Sequence, residues 1–299
     1  MISKEFVYKK VLPLVEDKGR TIDVLLIRSL FENVDDELVK ELLKYQNKDF
    51  GFGHGLEPDA QMPNSSILAT NMAIDVLTQI KDKSKTLEIT KQIVPYLESQ
   101  YDSNKDGFKL VTKEVDSFPH AIWWNYDKYD TNFTYGNPDA QVIGYLFKHR
   151  KYLSTLDINK QINNVLKHIL SDQFLNADFH NAFSALIFHS YVDDDVKNLI
   201  HDRLHEVIDR LINEDKDKWS EYGLEPYKVY LLDQHYTNNH RKLLVKNLEL
   251  VKESVDTLDV FPNWKWFQFD DVFETKVKYE WMGYIYYQKI KALRLHRNN

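Results

Sequence analysis

The chain contains no cysteine. Disulfides, Cys-ligated zinc and thiol catalysis are therefore excluded, and the composition fits a reducing compartment. No apolar run approaches the ~20 residues that a membrane span needs. The N-terminal MISKEFVYKKVLPLVEDKGR has charges scattered through it in place of a signal peptide's apolar core. A cytoplasmic protein without a membrane span is the expectation. A basic excess is also missing: 39 Lys and Arg against 46 Asp and Glu give a formal charge of −7, which excludes a general nucleic-acid binder with a basic face. Phosphate loop, dinucleotide fingerprint and nucleophile elbow are absent, since the FGFGHG run has neither the P-loop lysine nor a preceding strand. No nucleotide cofactor is expected. Glycine is scarce at nine residues, and three of them (Gly51, Gly53, Gly55) fall together.

What the chain does have is helical periodicity. Apolar residues make up 43% of its 299 residues, enough for a sizeable core, and strand signals are weak throughout. Leu38, Val39, Leu42 and Leu43 form one helical stripe after Asp35, which is placed to cap it. Ile158, Ile162, Val165, Leu166, Ile169 and Leu170 form another. Val196, Leu199, Ile200, Leu204, Val207, Ile208, Leu211 and Ile212 form a third, with charges opposite, as on a helix covering the outside of a bundle. Helices between these, such as Ala177 to His189, carry small and aromatic residues all round. Pro95 is expected to kink its helix. Two short sequences recur at helix starts: Pro58-Asp59-Ala60-Gln61 returns as Pro138-Asp139-Ala140-Gln141, and Gly55-Leu56-Glu57-Pro58 as Gly223-Leu224-Glu225-Pro226. Helix starts near 20, 64, 138, 178, 226 and 277 are mostly 40 to 50 residues apart, the spacing of stacked helical hairpins. The pattern predicts an all-α protein, one domain over residues 1–299, built as an (α/α)6 toroid of six inner and six outer helices. Residues 101–136, with a second glycine loop and the block PHAIWWNYDKYD, read as an irregular insertion.

The loop QNKDFGFGHGLEPD resembles the QxxxGGFG-type repeat of the α/α toroids, a group that includes protein prenyltransferase β-subunits, squalene and hopene cyclases and related bacterial proteins. Phe50 stands where the repeat has a glycine, and weaker echoes occur at QYDSNKDGF and EWMGYIYYQKIKAL. The resemblance implies the toroid architecture and an isoprenoid-type substrate in a cavity inside the ring of inner helices. Catalytic residues do not carry over with it. A chain without cysteine cannot supply the Asp, Cys and His zinc site of the prenyltransferases. Val192-Asp193-Asp194-Asp195 lacks the spacing of the cyclases' DxDD motif and suits a helix cap. Asp270-Asp271-Val272-Phe273-Glu274 resembles the DDxxD/E magnesium motif of terpene synthases, with no second metal motif beside it.

In a ring of hairpins, the loops opening inner helices gather at one end. His54, Glu57, Asp59, Asp139 and Glu225 are then expected to converge on one mouth. Neighbouring carboxylates raise one another's pKa and supply an acid and a base, so Asp59, Glu57, His54 and Asp139 are the candidate catalytic groups. His54, between two glycines, is where backbone can approach a ligand. The set His54, Glu57, Asp59 fits no established metal-ligand spacing, and no metal is expected. Trp123, Trp124, His120, Glu225 and Trp266 are candidate substrate contacts, because aromatic linings stabilise cations and stack on sugar rings. Adjacent Trp123 and Trp124 cannot both face one cavity from a regular element. Three readings follow: carboxylate acid/base chemistry on an isoprenoid-like small molecule, a carbohydrate-active enzyme with paired carboxylates, or a ligand- or partner-binding toroid without chemistry.

Overall fold

The computed structural model describes residues 2–129, 135–212, 215, 219, 221–234 and 240–296. Within them the chain is all-α, with twelve helices of seven residues or more. Helix α1 comprises Leu12–Lys18, entered through a helical turn at Lys4–Phe6 and a π-turn at Val7–Val11. Then follow α2 (Thr21–Ser29), α3 (Asp35–Leu42), α4 (Ile67–Gln79) and α5 (Lys83–Ser99). The second glycine loop forms a small antiparallel hairpin, β1 (Tyr101–Asp102) with β2 (Gly107–Phe108). Helices α6 (Asp139–Lys148), α7 (Ile158–Ile169), α8 (Phe179–Tyr191), α9 (Asp194–Leu211), α10 (Pro226–Leu232), α11 (Arg241–Asp256) and α12 (Lys278–Leu295) complete the order. The predicted insertion at 101–136 holds the hairpin and short helical turns, and its residues 130–134 lie outside the described residues.

Odd and even helices differ in how they are buried, and the cause is legible in their sequences. In α9 only Ile200, Leu204, Val207 and Ile208 are buried, one stripe at helical spacing. In α7 the buried set is Gln161, Ile162, Val165 and Ile169. By contrast α6 is buried at every position from Val142 to Phe147, and α4 at nine positions between Ile67 and Leu77. Helix α2 packs on α4 and α12, α6 on α8, and α10 on both α8 and α12, while each odd helix packs on an even helix next to it in the chain. One connected apolar core runs from Ile2 to Ile290.

One local expectation differs from the structure. Asp35 lies inside α3, and Val34 takes the cap position. The Asn33 side chain accepts from the Asp35 N–H, freeing the Asp35 carboxylate to accept from Asp82 N–H and tie α3 to the start of α5. Pro95 sits within a continuous α5. Ser66, Asp157 and Asp178 each accept a backbone N–H at the start of α4, α7 and α8, while Asp193 takes the cap position of α9 without a side-chain hydrogen bond.

Candidate functional site

The glycine loop is organised by Arg20, the residue before α2. Its guanidinium makes a bidentate pair with Asp23 at 2.8 and 2.9 Å. Its remaining nitrogen donates to the carbonyls of Leu56 at 2.8 Å and Gly55 at 3.3 Å. Burial works against this cation, but Asp23 outweighs it and raises the guanidinium pKa. Arg20 thus fixes the backbone immediately before Glu57. Gly53 is demanded by close approach, since a Cβ there would stand 2.3 Å from the carbonyl oxygens of Pro63 and Asn64. Phe50 takes a left-handed backbone at φ +68° and holds its ring exposed.

The loop delivers two carboxylates to the protein interior. Glu57 and Asp59 are 9% and 5% exposed. Asp59 Oδ1 accepts from the indole N–H of Trp266 at 2.7 Å and of Trp281 at 2.8 Å. Burial raises the Asp59 pKa to about 6, with the indole donors of Trp266, Trp281 and the looser Trp264 pulling the other way. Glu57 has less support: its carboxylate accepts only the Asp59 N–H, at 3.4 Å. Burial, and next the charge of Asp59, push its pKa well up. Burial therefore opposes the charge on both acids, and Glu57 has the weaker hydrogen bonding to set against it.

A third acid, Glu280 of α12, accepts from Gln61 at 2.9 Å, and burial raises its pKa while Arg20 moderates it. The π-turn Phe273–Val277 leads into α12 and sets Phe273 and Val277 against Trp266 and Ala121. Trp123, Trp124, Trp264 and Trp281 pack on that cluster, so five of the six tryptophans surround this end of the molecule. Trp264 meets Trp281 edge-on at 5.2 Å and Tyr222 at 5.7 Å. Tyr222 is 51% exposed and hydrogen-bonds His180 at 2.8 Å, which forms an accessible aromatic rim beside Phe179.

The structure gathers some of the expected residues and separates others. Glu57, Asp59 and Trp266 come together. His54 lies in the same loop but turns outward, exposed, with φ +57° and its Nε2 at 2.9 Å from Asn47 Oδ1. Buried His120 faces Phe118 O at 2.7 Å and Asn125 Oδ1 at 2.8 Å, and its backbone pairs with Ala60. Gln268 donates to both His120 O and Asn125, fastening the 118–125 turn to the loop that carries Trp266. Both Trp123 and Trp124 are half-buried against the tryptophan cluster from one short 3-10 turn. Asp139 is buried at the start of α6, where burial pushes its pKa well up and Phe108 N–H supports it. Glu225 is held by Asn247 at 3.3 Å and Lys228 at 3.7 Å. Asp194 and Glu274, from the two acidic motifs, pair with Lys197 and Lys278, and no cluster of three or more metal-ligating side chains occurs among the described residues.

Three participants escape a motif search: Arg20, Glu280 and Asp75. Asp75 left a signal, as the one charge within the apolar helix ILATNMAIDVL, one turn beyond Asn71. Trp281, Tyr284 and Tyr287 left another, an aromatic stripe at steps of three, seen as a ring ladder at 6.1 and 6.0 Å along α12. Compared with models of known protein families, with curated proteins and with solved structures, the chain matches none.

Proposed function

We propose that this chain is an (α/α)6 toroid whose Glu57 and Asp59 carry out acid/base chemistry on a polyhydroxylated small molecule, a saccharide or a close relative. Support for the ring comes from the order of packing. The even helices contact in the sequence α4, α2, α12, α10, α8, α6, and α6 meets α4 across a shared interior cleft. The left-handed Phe50 in the glycine loop adds to the resemblance with toroid repeats. The observation that carries the chemistry is the buried Glu57–Asp59 pair with unequal partners. Glu57 holds a proton and acts as general acid. Asp59, aligned by two indoles, stays the anion that serves as base, nucleophile or stabiliser of positive charge. Tyr222 and Trp264 supply ring faces at the accessible edge.

A prenyl chain is the weaker fit. The cleft bordered by Asn71, Asp75 and Gln141 has only about 10 Å³ of free space, whereas drug-sized apolar ligands occupy ~300–1,000 Å³. The test is turnover of a panel of nitrophenyl glycosides and oligosaccharides by wild type, Glu57→Gln and Asp59→Asn. Turnover that falls ~10³-fold in both variants, with a bell-shaped pH profile in the wild type, is expected. Absence of both turnover and saccharide binding across the panel would overturn the reading.

A further inference from the structure

Trp264 carries an idle donor beside Asp59. Its indole N–H is buried and has no hydrogen-bond partner among the described residues. Asp59 in turn uses one oxygen only. Its Oδ1 accepts from both Trp266, at 2.7 Å, and Trp281, at 2.8 Å, while Oδ2 accepts from none of the described residues. Trp264 meets Trp281 edge-on at 5.2 Å, and its N–H stands close enough to favour the charged form of Asp59. On its other side Trp264 meets Tyr222 edge-on at 5.7 Å, which joins it to the accessible rim.

Asp59 has little else to hold a negative charge. Glu57 on its own loop, Glu280 on α12 and the Tyr222 hydroxyl at the rim are the titratable groups that act on it or feel it. The cations nearby are engaged elsewhere: Arg20 with Asp23 at 2.8 Å, and Lys276 with Gln61 at 2.6 Å and Glu280 at 3.8 Å. Indole N–H groups, rather than a cation, therefore meet the charge on Asp59. A buried N–H without an acceptor is costly, and each carboxylate oxygen has room for two donors. One small rotation of the Trp264 ring cures both faults. We propose that Trp264 is a positioning residue for Asp59, its indole N–H closing on Oδ2 when the carboxyl ionises. The inference rests on Asp59 serving as the anion of the acid/base pair. Three indoles then hold the charged carboxylate where two hold the neutral one.

Two NMR titrations of the full chain across the Asp59 ionisation test this without substrate. Asp59 is followed by its carboxyl 13C signal, assigned as the one missing from Asp59→Asn. Trp264 is followed by its indole 15N–1H signal, assigned as the one missing from Trp264→Phe. In the wild type the Trp264 indole proton should move downfield with the same midpoint as Asp59. Trp264→Phe keeps a ring against Trp281 and Tyr222 and removes the donor. It should raise the Asp59 midpoint by at least ~0.5 pH units, making the acid about threefold weaker. A purely structural Trp264 would cost thermal stability in this variant and leave the midpoint in place. An indole proton that stays fixed while Asp59 titrates would overturn the proposal. So would an unmoved Asp59 midpoint in folded Trp264→Phe. No substrate enters either titration, so a chain that turned over no saccharide would still give either answer.

Discussion

Replacing Asp59 by asparagine separates a functional carboxylate from a structural acceptor. Asp59 is 5% exposed, and burial holds its pKa at about 6 against an ordinary 3.8. A carboxyl whose pKa is higher in the folded than in the unfolded chain stabilises the fold through its protonated form. That contribution is complete below about pH 4 and is lost as the pH rises through 6. Between pH 4 and pH 8 the wild type forfeits about 3 kcal/mol at this one residue. Asparagine keeps an oxygen for the Trp266 and Trp281 indoles and does not ionise, so this pH-dependent loss disappears. The stronger hydrogen bonds of the ionised form are already contained in the pKa of about 6, so their loss adds nothing further. Asp59→Asn should therefore be more stable than wild type by roughly 2–3 kcal/mol at pH 8, and within about 0.5 kcal/mol of it at pH 4. Activity should fall in the same variant. Urea titrations at the two pH values, read by tryptophan fluorescence, suit the measurement because five of six tryptophans lie at this end. A loss of 2 kcal/mol or more at both pH values would refute the reasoning and make Asp59 a structural clamp.

Arg20→Ala strands Asp23 as a buried unpaired charge and should lose about 3–5 kcal/mol in a denaturant titration. The 51–61 loop should become the first site of limited proteolysis. Gly283→Ala drives a Cβ to within 2.8 Å of the Asp23 side chain and should lower stability by about 1–3 kcal/mol, read as a thermal shift. His54→Gly relieves a left-handed backbone at an exposed position and should be neutral or stabilising by up to about 0.5 kcal/mol. Its turnover should be unchanged, and a loss there would return His54 to the catalytic group.

Much of the helical order was legible because hydrophobic period is a local property. The stripe Ile200, Leu204, Val207, Ile208 is visible in the sequence and buried in the structure. The site was legible in part. Glu57 and Asp59 stood out because a glycine loop ahead of an apolar helix marks a constrained backbone, but the same cue also promoted His54. Whether a loop side chain points in or out depends on one φ angle, and at His54 the left-handed backbone and Asn47 hold the ring outward. Asp139 and Glu225 were nominated by tetrapeptide similarity, which carries no information on tertiary partners. Phe108 meets Asp139, and Asn247 meets Glu225, from distant parts of the chain. Arg20 and Glu280 were hidden for the same reason: their partners lie 36 and 219 residues away at Leu56 and Gln61.

The distribution of buried charge is the strongest physical reason to look for chemistry here. Glu57, Asp59, Asp75 and Glu280 all have pKa values raised by burial. The one fully buried ion pair near them, Arg20–Asp23, is internally balanced and serves to hold the loop. A structural carboxylate is normally saturated by backbone N–H groups and has a lowered pKa, as Glu98 does where three successive N–H groups, from Ser154 to Leu156, converge on it. Glu57 and Asp75 are the opposite case, each with a single hydrogen bond of 3.4 Å. Neutral isosteres there remove an unfavourable burial, so the double variant Glu57→Gln, Asp75→Asn should unfold at a higher temperature than wild type at pH 8. The gain should shrink toward pH 4, where both carboxyls are already protonated in the folded chain. Proteins retain such uncompensated groups where activity or binding depends on them. A double variant that unfolded earlier than wild type at both pH values would place these carboxylates with Glu98, as parts of the scaffold.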